Sequence, residues 1–418
     1  MARAIGEEVA FAHEYHHDKL RLLRANRNGR ATLPIYTLRG VHDYFYGYML
    51  PSTRYLTHFA LRPAAGGFVL LFPRRETPNQ LPHYSGASKL TEVFRQHREG
   101  MQVMQIEDVA ALNAAIAEGR AREVALVSEA LHERRVAEIA GRIAADRGRI
   151  RLVLIAGPSS SGKTTFAKRL AVQLLARGIH PLAIGIDDYF LDREATPRDE
   201  TGAPDFEALE AVDLELFNRH LLQLMRGEAV QLPSFNFTLG RRQDGRRVSI
   251  SPDHVILVEG IHGLNPRLVF DIPCNCIHRI YISALTQLNL DCHNRIPTTD
   301  TRLIRRIVRD AAYRGYTALN TISRWESVLR GESRHIYPYQ DNADDMFNSA
   351  LPYELAVLKP LVEPLLRQIE PHSTMEYIEA HRLLSFLSWF LPCSSDITPE
   401  NSLLREFIGG SSLAGFNY

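Results

Sequence analysis

Leu152-Val153-Leu154-Ile155-Ala156-Gly157-Pro158-Ser159-Ser160-Ser161-Gly162-Lys163-Thr164-Thr165-Phe166-Ala167-Lys168-Arg169-Leu170 is the stretch from which the rest of the chain is read. An apolar run suited to a buried strand enters a loop of glycine and serine, and the loop enters a helix-forming run. Gly157 to Thr164 fit the pattern G-x-x-x-x-G-K-[ST], a phosphate-binding loop in the strand-before, helix-after setting that such a loop needs. Small residues let successive backbone N–H groups face one anion, and the following helix adds its positive end. On this reading Gly157, Ser159, Ser160, Ser161, Gly162, Lys163, Thr164 and Thr165 surround the phosphates of ATP. Lys163 reaches the β- and γ-phosphates, and the Thr164 hydroxyl takes a place on Mg2+. ATP and Mg2+ are the expected cofactors.

Composition bounds what surrounds this loop. A chain of 418 residues exceeds one ordinary core, so two or three domains are expected. Lys+Arg 49 against Asp+Glu 48 leaves a formal charge of +1, so there is no global basic field of the kind that marks a nucleic-acid binder. Any anion binding must be local. Four cysteines in this length do not make a disulfide framework, and no long apolar run suggests a membrane span or a leader, so a cytoplasmic setting is expected.

Residues 1–30 read as a polar helix in which His13, His16 and His17 cluster, a pattern better suited to a solvated face than to a metal site. From Thr32 to about Arg75 the pattern is β, with 55–61 and 67–72 forming a hairpin around a Pro-Ala-Ala-Gly turn. Helical segments follow at about 87–99, 106–117 and 121–145. Strand and helix then alternate: strand 152–156, helix 163–177, strand 182–186, helix 213–226, strands 255–258 and 278–283, helix 299–314. Such alternation predicts an α/β fold with a parallel sheet covered by helices. The expected organisation is a smaller α+β domain at 1–118, a linker helix at 119–148, an α/β core carrying the phosphate loop at 149–340 and a helical C-terminal extension packed on it at 341–418. Amphipathic stretches at 353–368 and 375–391 belong to that extension.

Four further features decide what the loop does. Strand 182–186 ends in Asp187-Asp188-Tyr189-Phe190, where open α/β sheets bind ligands, so Asp187 is placed to accept a hydroxyl proton or to orient Mg2+. Val255-Ile256-Leu257-Val258 runs into Glu259, the expected acidic partner of the phosphate loop and of Mg2+. Asp300 to Asp310 bracket Arg302, Arg305, Arg306 and Arg309, spaced to form a guanidinium stripe that can clamp phosphates. Pro204-Asp205-Phe206-Glu207 and Pro233-Ser234-Phe235-Asn236-Phe237 supply carboxylates and aromatics able to hold a sugar and stack on a ring. Cys274-Asn275-Cys276-Ile277-His278 lacks a common zinc spacing and is not read as a metal cluster. Trp325, Arg324 and Arg330 are expected to pack as part of a lid, with 337–340 closing over the site.

Together these motifs resemble the uridine kinase and phosphoribulokinase family of P-loop kinases. The resemblance implies that Asp187 is the catalytic aspartate, Lys163 the phosphate lysine, and Thr164 and Glu259 magnesium partners. It implies that Asp205 or Glu207 grips the acceptor's hydroxyls, with Phe235 on the acceptor side, and that Arg306 and Arg309 are lid arginines touching acceptor and triphosphate. Gly40-Val41-His42-Asp43-Tyr44-Phe45-Tyr46-Gly47, Leu50-Pro51-Ser52-Thr53 and Asn401-Ser402-Leu403-Leu404-Arg405-Glu406-Phe407-Ile408-Gly409-Gly410-Ser411 look like a subgroup of nucleoside kinases. That subgroup carries an N-terminal domain similar to the editing region of threonyl-tRNA synthetase. The chain departs from it in lacking a recognisable ubiquitin-like segment and histidine motif. It departs again where uridine-cytidine kinases read the base with a tyrosine and a histidine, since Phe235 and Gly240 stand about there. The acceptor is thus expected to be a small molecule with a free hydroxyl, a nucleoside or, as an alternative, another sugar or polyol, with no nucleic acid or membrane as partner and self-association left open. A tRNA-associated protein switched by ATP is the reading from a different class.

Overall fold

Strand Leu152–Ala156 is buried at every position, and it sits at the middle of the sheet. In a computed structural model, residues 2–4, 17–25, 32–44, 49–64, 67–73, 77–84 and 89–418 are described, apart from 199–201, 203–204, 206, 237–238 and 287. The strands, in chain order, are β1 Ala2–Ala4, β2 Thr32–Leu38, β3 Val41–Tyr44, β4 Ala60–Ala64, β5 Gly67–Leu71, β6 Leu152–Ala156, β7 His180–Gly185, β8 Val230–Asn236, β9 Arg241–Val248, β10 His254–Glu259, β11 Ile277–Ser283 and β12 Asp345–Asn348. The helices are α1 His17–Ala25, α2 Lys89–Met104, α3 Val109–Ala117, α4 Ala121–Ala145, α5 Lys163–Leu175, α6 Leu214–Met225, α7 Thr298–Tyr313, α8 Ala318–His335, α9 Glu354–Leu366, α10 Thr374–Leu387 and α11 Arg405–Ile408.

The main sheet is wholly parallel, with order β12-β11-β6-β10-β7. Period-two alternation along its strands divides the interior in two. Val153, Ile155, Leu257 and Ile282 face a core built with α4, α5, α7, α9 and α10, whereas Leu152, Leu154, Ile256 and Val258 face a second core with Phe217 and Leu221 of α6. Both faces are therefore covered, which is why these strands read as continuous apolar runs. The C-terminal ends of β6, β10 and β7 lie side by side and present the phosphate loop, Glu259 and Asp187 at one edge.

Two expected boundaries are corrected. The sheet takes its fifth strand from β12, beyond residue 340; its four residues, Asp345-Met346-Phe347-Asn348, carry too short a pattern to announce a strand. Helix α4 is not a linker: Val136, Ile139, Ala140 and Ile143 are buried in the main core, and Glu129 and Glu133 hold Arg169 of α5 at 3.2 and 2.8 Å. The C-terminal segment is equally committed, with Leu403, Leu404 and Phe407 fully buried in that same core.

The N-terminal part is an antiparallel sheet β1-β2-β3 and a hairpin β4-β5 in which Leu61 faces Leu70. The hairpin's second strand falls within the expected 67–72, while its first runs Ala60–Ala64 rather than 55–61, after a helical turn at Thr53–Tyr55. His13 and His16 fall outside the described residues. Among the described residues no helix is long and apolar enough to cross a membrane.

Candidate active site

The phosphate loop is held open by backbone conformations that only small residues tolerate. Gly162 has φ +87° and stands against the side chain of Leu403, while a Cβ on Gly157 would run into the Ile282 carbonyl. Ser160 is also left-handed, at φ 58°, and the hydroxyls of Ser160 and Ser161 are buried without a protein partner. Such a cradle of N–H groups and uncommitted hydroxyls suits an anion. Lys163 donates to the Gly157 and Pro158 carbonyls at 3.0 and 3.1 Å. Burial lowers its pKa, while Glu259, Glu406, Glu332 and Asp187 pull the other way.

Thr164 donates its hydroxyl proton to Glu259 at 2.8 Å. These hard oxygens from neighbouring strand and helix ends fit a Mg2+ ion. Burial pushes Glu259 up to about 7, against the pull of Lys163 and of the Thr164 hydrogen bond. Asp187 follows β7 on a short helical turn and is exposed. Desolvation raises its carboxyl above the usual range; Lys163 opposes the rise and Asp188 adds to it. Asp188 accepts the Phe235 N–H at 3.2 Å and so braces β8. The two aspartates therefore have different environments.

The arginine row divides into fully buried and half-buried members. Arg302 and Arg305 are fully buried: Arg302 is bidentate with Glu332 at 2.5 and 2.9 Å, and Arg305 meets Glu354 at 2.6 Å. Arg305 also donates to the Ser160 carbonyl at 3.3 Å, so this pair shapes the loop from behind. Arg306 reaches the Ser159 hydroxyl at 2.9 Å, while Arg309 folds onto Asp310 at 2.7 Å. The expected single arginine stripe is corrected: buried carboxylates on other helices claim half of it. Trp325 is buried, with the guanidiniums of Arg302 and Arg306 over its ring at 5.4 and 5.9 Å.

Glu207 lies against Gly331 of α8. Burial pushes it up to about 7, helped by Glu332 and Asp205 and opposed by Arg306. Asp205 accepts the Glu207 N–H at 3.0 Å and so fixes this turn. Phe235 is only 6% exposed and meets Phe190 edge-on at 5.7 Å, which makes it a core residue rather than a free stacking face. Gly240 leaves space that Arg193 fills. His278, from the cysteine-rich stretch, hydrogen-bonds Asp345 at 3.0 Å.

Two residues at the loop escaped the sequence reading. Glu332 accepts the Ser159 N–H at 2.9 Å, and Glu406 accepts both the N–H and the hydroxyl of Thr165 at 3.1 and 2.9 Å. Each comes from far along the chain, and only the tertiary fold brings it to the loop.

Comparison with known proteins agrees with this geometry. The model of the phosphoribulokinase and uridine kinase family matches residues 152–354. A uridine kinase of Aliivibrio fischeri (strain MJ11) is 32% identical over 197 residues, 46% of this chain and 83% of that protein. Uridine kinases of Brevibacillus brevis (strain 47) and Halobacterium salinarum (strain ATCC 700922) are 29% and 28% identical, over 43% and 46% of this chain and 75% and 76% of theirs. With the phosphate loop, its acidic strand ends and a relative matched over most of its length, this chain belongs to the phosphoribulokinase and uridine kinase family of P-loop kinases.

Proposed function

We propose that the protein transfers the γ-phosphoryl group of ATP in line to a hydroxyl of a nucleoside or similar polyol. The observation that carries this reading is the convergence of Lys163, the Thr164–Glu259 pair and Asp187 at three adjacent strand ends. The loop N–H groups and Lys163 hold the triphosphate, and Arg306, beside Ser159, stabilises charge on the transferring group. Thr164 and Glu259, with Asp187 nearby, would hold Mg2+, which when bound neutralises phosphate charge. The raised carboxyl of Asp187 is suited to taking the hydroxyl proton as the new P–O bond forms, and the leaving ADP retains its bridging oxygen. Asp205 and Glu207 accept from the acceptor's other hydroxyls. Nucleoside and polyol stay together as one class, because Phe235 and Gly240 offer no polar side chain to a base.

The test is a panel of nucleosides, sugars and polyols assayed for acceptor-dependent ATP consumption. Wild type should respond to one chemical class and Lys163→Ala to none. Asp187→Asn should lose at least about a hundredfold in kcat while keeping ATP affinity within a few-fold. Normal turnover by that variant would remove Asp187 from the chemistry.

A further inference from the structure

We infer that Glu406 is a residue of the donor site that competes with the nucleotide's phosphates for Thr165, so that ATP binding displaces the Glu406 side chain from the loop. The inference rests on the kinase reading above and deepens its donor half. Thr165 is the third residue of α5, where a helix presents N–H groups with no partner of their own. Those groups are what a bound phosphate takes. Here one oxygen of Glu406 accepts both the N–H and the hydroxyl of Thr165, so a carboxylate already holds an anion's position.

Charge decides which acid gives way when the triphosphate arrives. Four carboxylates, of Glu259, Glu406, Glu332 and Asp187, act on Lys163. Glu332 is locked by its bidentate, fully buried Arg302, Glu259 is held by Thr164, and Asp187 sits on the helical turn that follows β7. Among the described residues Glu406 makes no ion pair; Lys163 and Arg314 act on it only from a distance, and its hydrogen bonds go to Thr165 alone. Its anchorage lies elsewhere. Leu403, Leu404 and Phe407 are fully buried, and Arg405 donates to the carbonyls of Ser395, Thr398, Pro399 and Gly409. The backbone can therefore stay in place while the half-buried carboxylate swings away.

The experiment is calorimetric titration of the full chain with MgATP, without acceptor, for wild type, Glu406→Gln and Glu406→Ala. Removing the internal anion should tighten ATP binding by about three- to tenfold in Glu406→Gln and at least as much in Glu406→Ala. Melting without nucleotide is measured in parallel, because a residue that only caps α5 would lose melting temperature and ATP affinity together. Tighter binding despite a lower melting temperature supports competition. Unchanged or weaker binding in Glu406→Gln, with wild type binding normally, overturns this inference and leaves the kinase reading standing. Absence of ATP binding in wild type and variants alike overturns both.

Discussion

Gly162 and Glu207 show how single positions carry the site. Gly162 combines a φ of +87° with direct contact to Leu403, so a methyl there is strained twice. Gly162→Ala should lose roughly 1–3 kcal/mol of stability, read by denaturant unfolding, and most ATP affinity. Glu207 gives a pH signature. Its pKa rises from an ordinary 4.5 to about 7 in the folded chain, so the fold prefers its neutral form. Its contribution to stability is full below about 4.5 and is lost as pH rises through about 7. Melting of Glu207→Gln relative to wild type should therefore improve from pH 5 to pH 8, and a constant difference would contradict the raised carboxyl. Legibility at this scale was uneven. Lys163, Thr164, Asp187 and Glu259 were visible because each sits at a strand or helix end marked by its own local pattern. Glu332 and Glu406 were not, since nothing next to them in sequence says that they meet the loop.

Helix α7 shows what a pattern cannot say at the level of an element. Arginines at i, i+3, i+4 and i+7 share one stripe, but sequence does not reveal that Glu332 of α8 and Glu354 of α9 would claim Arg302 and Arg305. Asp300, at the head of the row, binds Arg382 of α10 at 2.7 Å, a partner that only the fold reveals. Because Arg302 and Glu332 are both buried, removing one leaves an uncompensated charge, and Arg302→Met should cost about 3–5 kcal/mol in denaturant unfolding. Arg302→Met with Glu332→Leu should recover much of that loss, since the orphaned charge is gone too. A double variant as unstable as the single one would point to packing instead. Most helices were placed to within a few residues by their apolar period. Hairpin β8-β9 escaped because Arg241-Arg242-Gln243-Asp244-Gly245-Arg246-Arg247 is too polar to read as a strand, and its pairing comes from register with β8.

Across the whole molecule, the chemistry and the fold have different limits. The family's span of 152–354 contains the loop, Asp187, Glu259 and the arginine helix. The main core also needs Val136, Ile139 and Ile143 from α4, and Leu403, Leu404 and Phe407 from the C-terminal segment. A fragment cut to 152–354 should bare these apolar faces, bind a hydrophobic dye and lose cooperative unfolding, whereas the full chain should do none of these. One consequence concerns how such a chain can change over time. Under the proposed reading, the turn bearing Glu207 is where acceptor preference can change, because it contributes no residue to the main core. The flanks have no such freedom. Once the phosphate-loop helix is packed between α4 and the Leu403–Phe407 turn, neither neighbour can be exchanged, shortened or fused elsewhere without unmaking the fold that presents the loop.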